Sequence, residues 1–249
     1  MTNATTTWEQ RLLDSTDIDM TVESSERQYT GAIFHVDDQK IRLTKVDGSA
    51  TYIRRQVMRH APCVVMLVHD CESDRYLLER EYRVGPNIYA FGVPAGLIDD
   101  GETPEAAALR ELHEETGVRP GTVEEQIRDA DLLDSLTTSS TDQTNSERTS
   151  GNADSPSDTD ANAPIYIDHV ARCYSSEGMT DELANIMVVH LRRWHQSERH
   201  FDNDEHVEST WVSWEELNNA GIISSNATIA LKHETLRRLL HPEQEKAQS

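Results

Sequence analysis

Basic residues are scarce in this chain: 23 lysines and arginines stand against 45 aspartates and glutamates in 249 residues, a formal net charge of -22. Affinity for a nucleic-acid backbone comes from basic patches, so no polynucleotide partner is expected. An anionic membrane surface is disfavoured for the same reason. Long apolar runs are also missing, and none approaches the roughly 18 residues of a spanning helix. The three cysteines, Cys63, Cys71 and Cys173, form no C-x-x-C pair, which excludes a disulfide framework and reads as reduced thiols. Eleven histidines are scattered, with no H-x3–5-H pairing joined to a C-x2–4-C, so no zinc pattern arises. The opening residues MTNATTTWEQ have neither a basic n-region nor an apolar h-region. A signal peptide is therefore not expected, and a soluble cytoplasmic protein is.

Apolar residues make up only 36% of the chain, which suffices for a core if part of the chain stays outside it. Residues 135–163 supply such a part. They hold 13 Ser and Thr in 29 positions and one large aliphatic, Leu136. That composition cannot bury enough surface to offset ordering entropy, and it reads as a disordered surface insertion.

Elsewhere, β-type runs dominate. Tyr29–Val36, Lys40–Val46 and Thr51–Met58 are rich in β-branched and aromatic residues, with Asp37-Asp38 and Asp47-Gly48 as turn signals between them. The run Ala61–His69 is almost continuously apolar, as expected of a strand buried on both faces. Arg75–Tyr82, Ile165–Tyr174, Ala184–Trp194 and Val207–Val212 complete the strands. Helical periodicity is confined to Pro104–Thr116, Trp214–Asn219 and Ala227–Leu240. This pattern predicts an α+β fold, a mixed sheet sandwiched between helices.

The richest chemistry lies at Gly96–Val118, GLIDDGETPEAAALRELHEETGV. Thr103 is an N-cap candidate, Pro104 suits the first helical position, and Gly117 can end the helix in the left-handed region. At about 100° per residue, Glu111, Glu114 and Glu115 project from one face. Three acids so crowded repel one another, so a positive group should compensate. Arg110 is one candidate and a divalent cation the other. Hard oxygen ligands with little nitrogen or sulfur select Mg²⁺ or Mn²⁺.

The spacing G-x5-E-x7-R-E-U-x-E-E-x-G-U, with U a bulky aliphatic, resembles the signature box of the Nudix hydrolases. It is met at Gly96, Glu102, Arg110, Glu111, Leu112, Glu114, Glu115, Gly117 and Val118. The resemblance implies a Nudix-type α/β/α sandwich whose loop–helix–loop platform holds divalent metal against a diphosphate. It makes Glu111 and Glu115 principal metal ligands and Glu114 a further or water-mediated one, with Glu114 and Glu115 counted among the catalytic groups. The backbone carbonyl of Ala95 is an additional implied ligand. Arg110 would pair with Glu102 or another box carboxylate, while Gly96 and Gly117 would serve backbone shape.

Flanking residues bear on the substrate. The stretch LLEREYRVGPNIYAFGVPAGLIDDGE (77–102) resembles the ADP-ribose pyrophosphatase branch, with an aromatic-Arg pair before a P-A-G-L-I-D entry. YSSEGMTDELANIMVV (174–189) resembles that branch's loop, whose acid acts as base or orients the attacking water. Glu182 fits that role best by its distance from the following strand, with Asp181 and Glu177 as rivals. Arg83 is the candidate phosphate or ribose contact, Arg54 and Arg55 are weaker ones, and Tyr89 or Phe91 could line an adenine site. One departure stands out: many members of the branch carry an acid where this chain has Gly92.

The resulting expectation is a flexible N-terminus (1–27), an N-terminal β module for substrate and dimer contacts (28–58), a Nudix domain (59–241) interrupted by the insertion, and a flexible tail (242–249). Its expected activity is Mg²⁺-dependent hydrolysis of ADP-ribose by a homodimer. The alternatives are another nucleoside-diphosphate sugar or dinucleotide, or a silent Nudix module that binds a nucleotide or a protein.

Overall fold

The computed structural model describes residues 19–45, 47–125, 162–200 and 207–240. Nearly all of the 135–163 insertion, the tail from 242 and the first eighteen residues lie outside the described residues. The chain divides into two compact units, one of Met1–Pro62 with Tyr174–Leu183, the other of Cys63–Cys173 with Ala184–Ser249.

The first unit is a three-stranded antiparallel sheet, β1 (Met20–Thr30), β2 (Phe34–Thr44) and β3 (Ala50–His60), in the order β1-β2-β3. The first strand starts at Met20, inside the stretch expected to be flexible. Asp37-Asp38, read from sequence as a turn, sits in the middle of β2 instead. The reason is cross-strand charge pairing. Asp37 accepts from Arg27 and, at 3.1 Å, from Arg59 Nε. Asp38 accepts from Arg54 Nε at 2.6 Å and from Gln56 Nε2 at 3.0 Å. Two acids that signal a turn alone become strand residues when arginines on both neighbouring strands meet them.

Segment 174–183 docks on β3 of the same unit. The Met58 amide donates to the Met179 carbonyl at 2.8 Å, and the Asp181 amide donates back to Met58 at 3.3 Å.

The second unit holds a seven-stranded mixed sheet. Its main path runs β12 (Val207–Ser213), β5 (Arg75–Arg83), β4 (Cys63–Asp70), β10 (Leu183–Leu191), β9 (Ile165–Tyr174). Strand β6 (Ile88–Gly92) flanks β5, and β7 (Ala95–Leu97) flanks β4. The parallel pairing of β4 with β10 runs from Cys63↔Ala184 to Asp70↔Leu191. The expected strand to Trp194 is split: β10 stops at Leu191, and β11 (Trp194–Gln196) pairs with β8 (Val118–Pro120).

All eight residues of β4 are buried, because helices cover both faces. Val64, Met66 and Val68 pack with Ala107, Ala108 and Leu112 of α1 (Pro104–Thr116). Cys63, Val65 and Leu67 pack with Leu217 of α2 (Trp214–Asn219) and with Ala227, Ala230 and Leu231 of α3 (Ser225–Leu240). This is the α/β/α sandwich expected from the sequence. No helix among the described residues is long and apolar enough to cross a membrane.

Candidate active site

Helix α1 is defined by its ends. Thr103 caps it by accepting from the Ala106 amide at 3.2 Å, Pro104 opens it, and Gly117 closes it at φ 74°. A Cβ on Gly117 would stand 2.4 Å from the Ser197 carbonyl oxygen, so both conformation and space demand glycine there.

Arg110 is the hub of the carboxylate face. Its Nε donates to Glu102 Oε1 at 3.0 Å and its Nη2 to Glu102 Oε2 at 2.9 Å, a bidentate fork. Nη1 reaches Glu111 Oε1 at 2.9 Å and Glu114 Oε2 at 3.0 Å, while Nη2 also bonds the Leu97 carbonyl at 2.9 Å. One guanidinium thus ties the loop before the helix to two acids on it. The Arg110 fork, helped by the Asp99 amide, holds the Glu102 carboxyl below its ordinary range against the opposing effect of burial. Glu115 is buried at the inner edge of the same helix.

Gly96 sets the floor of the site. A Cβ built there would lie 1.9 Å from Glu111 Cδ and 2.0 Å from its Oε1, so the carboxylate of Glu111 occupies the space a side chain would need. Ala95, beside it, opens β7 and pairs with Val65 of β4, which fixes the backbone leading into the box.

The sequence reading missed Glu79. It lies on β5, two residues after Leu77, and Leu77 packs against Ala107, Ala108 and Leu112 of α1. Residues two apart on a strand share a face, so Glu79 points to the α1 side of the sheet. Only 4% of it is exposed, and its Oε1 finds no hydrogen-bond partner among the described residues. Burial pushes its carboxyl up to about 8, with Glu81 and Glu111 adding to the rise against Arg83 and Arg199. The signal available in sequence was an acid two residues after the core-facing Leu77, a placement proteins avoid unless the group is compensated.

The other candidates are held differently. Arg83 is half exposed and pairs with Glu81 at 2.8 Å on its own strand. Tyr89 is exposed and carries the Arg80 guanidinium 4.2 Å from its ring centroid. In the first unit, Arg54 pairs with Asp38. Asp181 is engaged twice, accepting from the His60 amide at 3.0 Å and from Arg59 Nη1 at 3.0 Å. Glu182 stands 3.5 Å from His60 Nδ1, and Glu177 is exposed. Asp181 is therefore the loop acid committed to holding the loop. His113, an unconstrained box position, is half buried against Arg119 and His200.

The donor set fits a hard divalent cation: Glu111, Glu114 and Glu115 on one helix face, with a buried carboxyl oxygen of Glu79 on the strand beneath.

Comparison with known proteins places this arrangement. Residues 59–156 match the NUDIX domain model. These residues are therefore similar to a Nudix domain and include all of Gly96–Val118, the stretch that meets the signature spacing. It is 49% identical over 53 residues to the ADP-sugar pyrophosphatase of Mus musculus, covering 21% of this chain and 22% of that protein. It is 35% identical over 80 residues to the ADP-ribose pyrophosphatase of Saccharomyces cerevisiae, covering 32% of each. With an RNA pyrophosphohydrolase of Pseudoalteromonas translucida it shares 55% over 42 residues, 17% of this chain and 23% of that one. The chain therefore matches only about a fifth to a third of the length of these relatives. A crystal structure of an ADP compounds hydrolase superposes with a TM-score of 0.57 at 18% identity, covering 91% of this chain and 96% of that one, a likeness of fold.

Proposed function

We propose that the chain is a divalent-metal-dependent pyrophosphohydrolase that cleaves ADP-ribose to AMP and ribose 5-phosphate. The observation that carries this reading is the box itself, in which Arg110, Gly96 and α1 converge Glu102, Glu111 and Glu114 on one face. The names of the mouse and yeast relatives support the substrate class.

Glu111, Glu114, Glu115 and the carbonyl of Ala95 would hold the cation, Mg²⁺ with Mn²⁺ as substitute, and Glu79 would add a further carboxylate. When bound, the metal supplies charge neutralisation for the diphosphate and acidifies a water. The chain's own groups do the rest. Arg110 keeps the acids from splaying apart. Glu182 takes a proton from the attacking water, whose oxygen forms a bond to phosphorus as the bridging P–O bond breaks. Arg83 and Arg54 supply guanidinium contacts to the substrate after releasing Glu81 and Asp38, and Tyr89 offers a ring for adenine. The working form is a cytoplasmic homodimer. A second reading, hydrolysis of another nucleoside-diphosphate sugar, is favoured by Gly92, where related enzymes carry an acid.

The test is a panel of nucleoside diphosphates assayed with and without Mg²⁺. ADP-ribose should turn over fastest, and only with metal. Metal-independent or absent turnover would sink the enzyme reading, whereas faster cleavage of another sugar nucleotide would sink only the substrate.

A further inference from the structure

At the end of β4 remote from the box, a second set of ligand atoms converges. His69 and His190 are partners in the parallel β4–β10 ladder, and both are buried, His190 completely. Their Nδ1 atoms are 3.0 Å apart, with the rings at 90°. Cys71, in the turn just after β4, brings its Sγ to 3.9 Å from His69 Nδ1. All three ligand atoms lie within 4.8 Å of one another. About 13 Å of strand separates His69 from Val65, where β7 leads into the box.

The protons on these rings are constrained from outside. His69 Nε2 faces Asp74 Oδ1 at 3.0 Å, and His190 Nε2 faces Asp168 Oδ2 at 3.4 Å. Arg238 grips Asp74 through both oxygens, at 2.7 and 2.8 Å, and holds that carboxyl below its ordinary range against burial. The tautomer with hydrogen on both Nε2 atoms satisfies the two facing carboxylates. In that tautomer each ring presents its Nδ1 lone pair to the other.

Two lone pairs that face one another need a cation between them, either a proton or a metal. A proton shared by the rings would place a positive charge between two buried side chains, which loss of hydration opposes. An imidazole that donates its far N–H to a carboxylate while its near nitrogen faces a cation is the usual outer shell of a metal-bound histidine.

We propose that His69 Nδ1, His190 Nδ1 and Cys71 Sγ form a second metal site, distinct from the box, that binds Zn²⁺. With Zn–N of about 2.0–2.1 Å and Zn–S of about 2.3 Å, the 3.0 Å separation gives an angle of roughly 95° between the nitrogens and the 3.9 Å separation roughly 125° between Cys71 Sγ and His69 Nδ1. Cys71 Sγ, within 4.8 Å of His190 Nδ1, would close to under about 4.4 Å of it on binding. Nitrogen and sulfur donors select this ion over the hard cation of the box. Binding breaks the S–H bond of Cys71, forms Zn–S and releases that proton to solvent. Zn²⁺ and Arg238 together balance the thiolate, Asp74 and Asp168. The ion would staple β4, the turn after it and β10 together without taking part in hydrolysis.

The test uses the full-length protein, made without a polyhistidine tag, stripped with chelator and titrated with Co²⁺ in excess Mg²⁺. Wild type should develop a thiolate-to-cobalt charge-transfer band that Zn²⁺ bleaches, and Zn²⁺ should raise its melting temperature. C71S, a small change at a partly exposed turn, should fold, lose the band and bind Zn²⁺ at least about tenfold more weakly. Because box carboxylates give no thiolate band, and Cys63 and Cys173 remain in C71S, the band reports Cys71 alone. Absence of the band in wild type, its persistence in C71S, or equal Zn²⁺ affinity in the two proteins would overturn the site.

Discussion

Glu79 of β5 and Gly92 of β6 stand directly opposite each other in the antiparallel ladder. A buried acid thus faces a position with no side chain, where an added Cβ would meet nothing within 4 Å. Cross-strand partners share a face, so Glu79 presents its carboxyl on the same face of the sheet as the Gly92 position.

Glu79→Gln removes the ionisable carboxyl and keeps the volume. Turnover at limiting Mg²⁺ should fall by about tenfold to a hundredfold, with a matching rise in the Mg²⁺ concentration needed for half-maximal rate. Adding Gly92→Glu to that variant should recover part of the loss. Wild-type Mg²⁺ dependence in Glu79→Gln would remove Glu79 from the site.

Gly96→Ala places a methyl where the Glu111 carboxylate now sits. Displacing that group by about 1 Å should lower kcat/KM by about a hundredfold, and overpacking should cost about 1–3 kcal/mol in a denaturant melt. Full activity in this variant would show that the position of Glu111 is not critical.

Glu182→Gln and Asp181→Asn separate base from anchor. Loss of the base should reduce kcat by about 10²–10⁴-fold. Asp181→Asn loses the Arg59 ion pair and should act mainly on KM by loosening the loop from β3. A larger kcat loss in Asp181→Asn than in Glu182→Gln would exchange the two roles.

Arg110 also shapes the acid limb of stability. Its fork holds Glu102 below the ordinary 4.5. A depressed folded-state carboxyl adds stability that is present above the unfolded value and lost as pH falls through the folded one. Arg110→Ala should therefore be less stable than wild type by about 1–3 kcal/mol near neutral pH. Urea melts should show that gap narrowing below 4.5. A gap that does not change with pH would mean the arginine acts by packing alone.

The net charge of -22 predicts a salt response. Raising monovalent salt from about 0.1 M to about 1 M shortens the screening length from about 10 Å to about 3 Å. Self-repulsion should weaken and the melting temperature should rise. A fall would mean that the Arg–Asp and Arg–Glu pairs outweigh the excess acidity.

Local chemistry made part of this structure legible in the sequence. Thr103, Pro104 and Gly117 mark the ends of α1, and the unbroken apolar run of β4 announces a strand covered on both faces. Features that depend on register were hidden. Asp37-Asp38 spells a turn until Arg27, Arg54 and Arg59 arrive from neighbouring strands. Glu79 looks like an outward charge in RYLLEREY until its parity with Leu77 is known. His69 and His190 are 121 residues apart, and no spacing rule joins them to Cys71. The box resemblance is a matter of spacing within one continuous stretch, which a sequence carries in full, whereas the proposed base, the proposed substrate contacts and the proposed second metal set depend on strands meeting across the chain.

The parallel ladder of β4 and β10 serves as a common ruler. Even-numbered residues of β4 face the box helix and odd-numbered ones face α3. A slip of β4 by a single residue would exchange the two cores, move Val64 and Val65 off their β7 partners, and carry His69 away from His190 to the opposite face. The chain therefore cannot adjust the geometry of one end of this strand without resetting the other. Sequence drift at β4 is restricted to changes that preserve both readings at once.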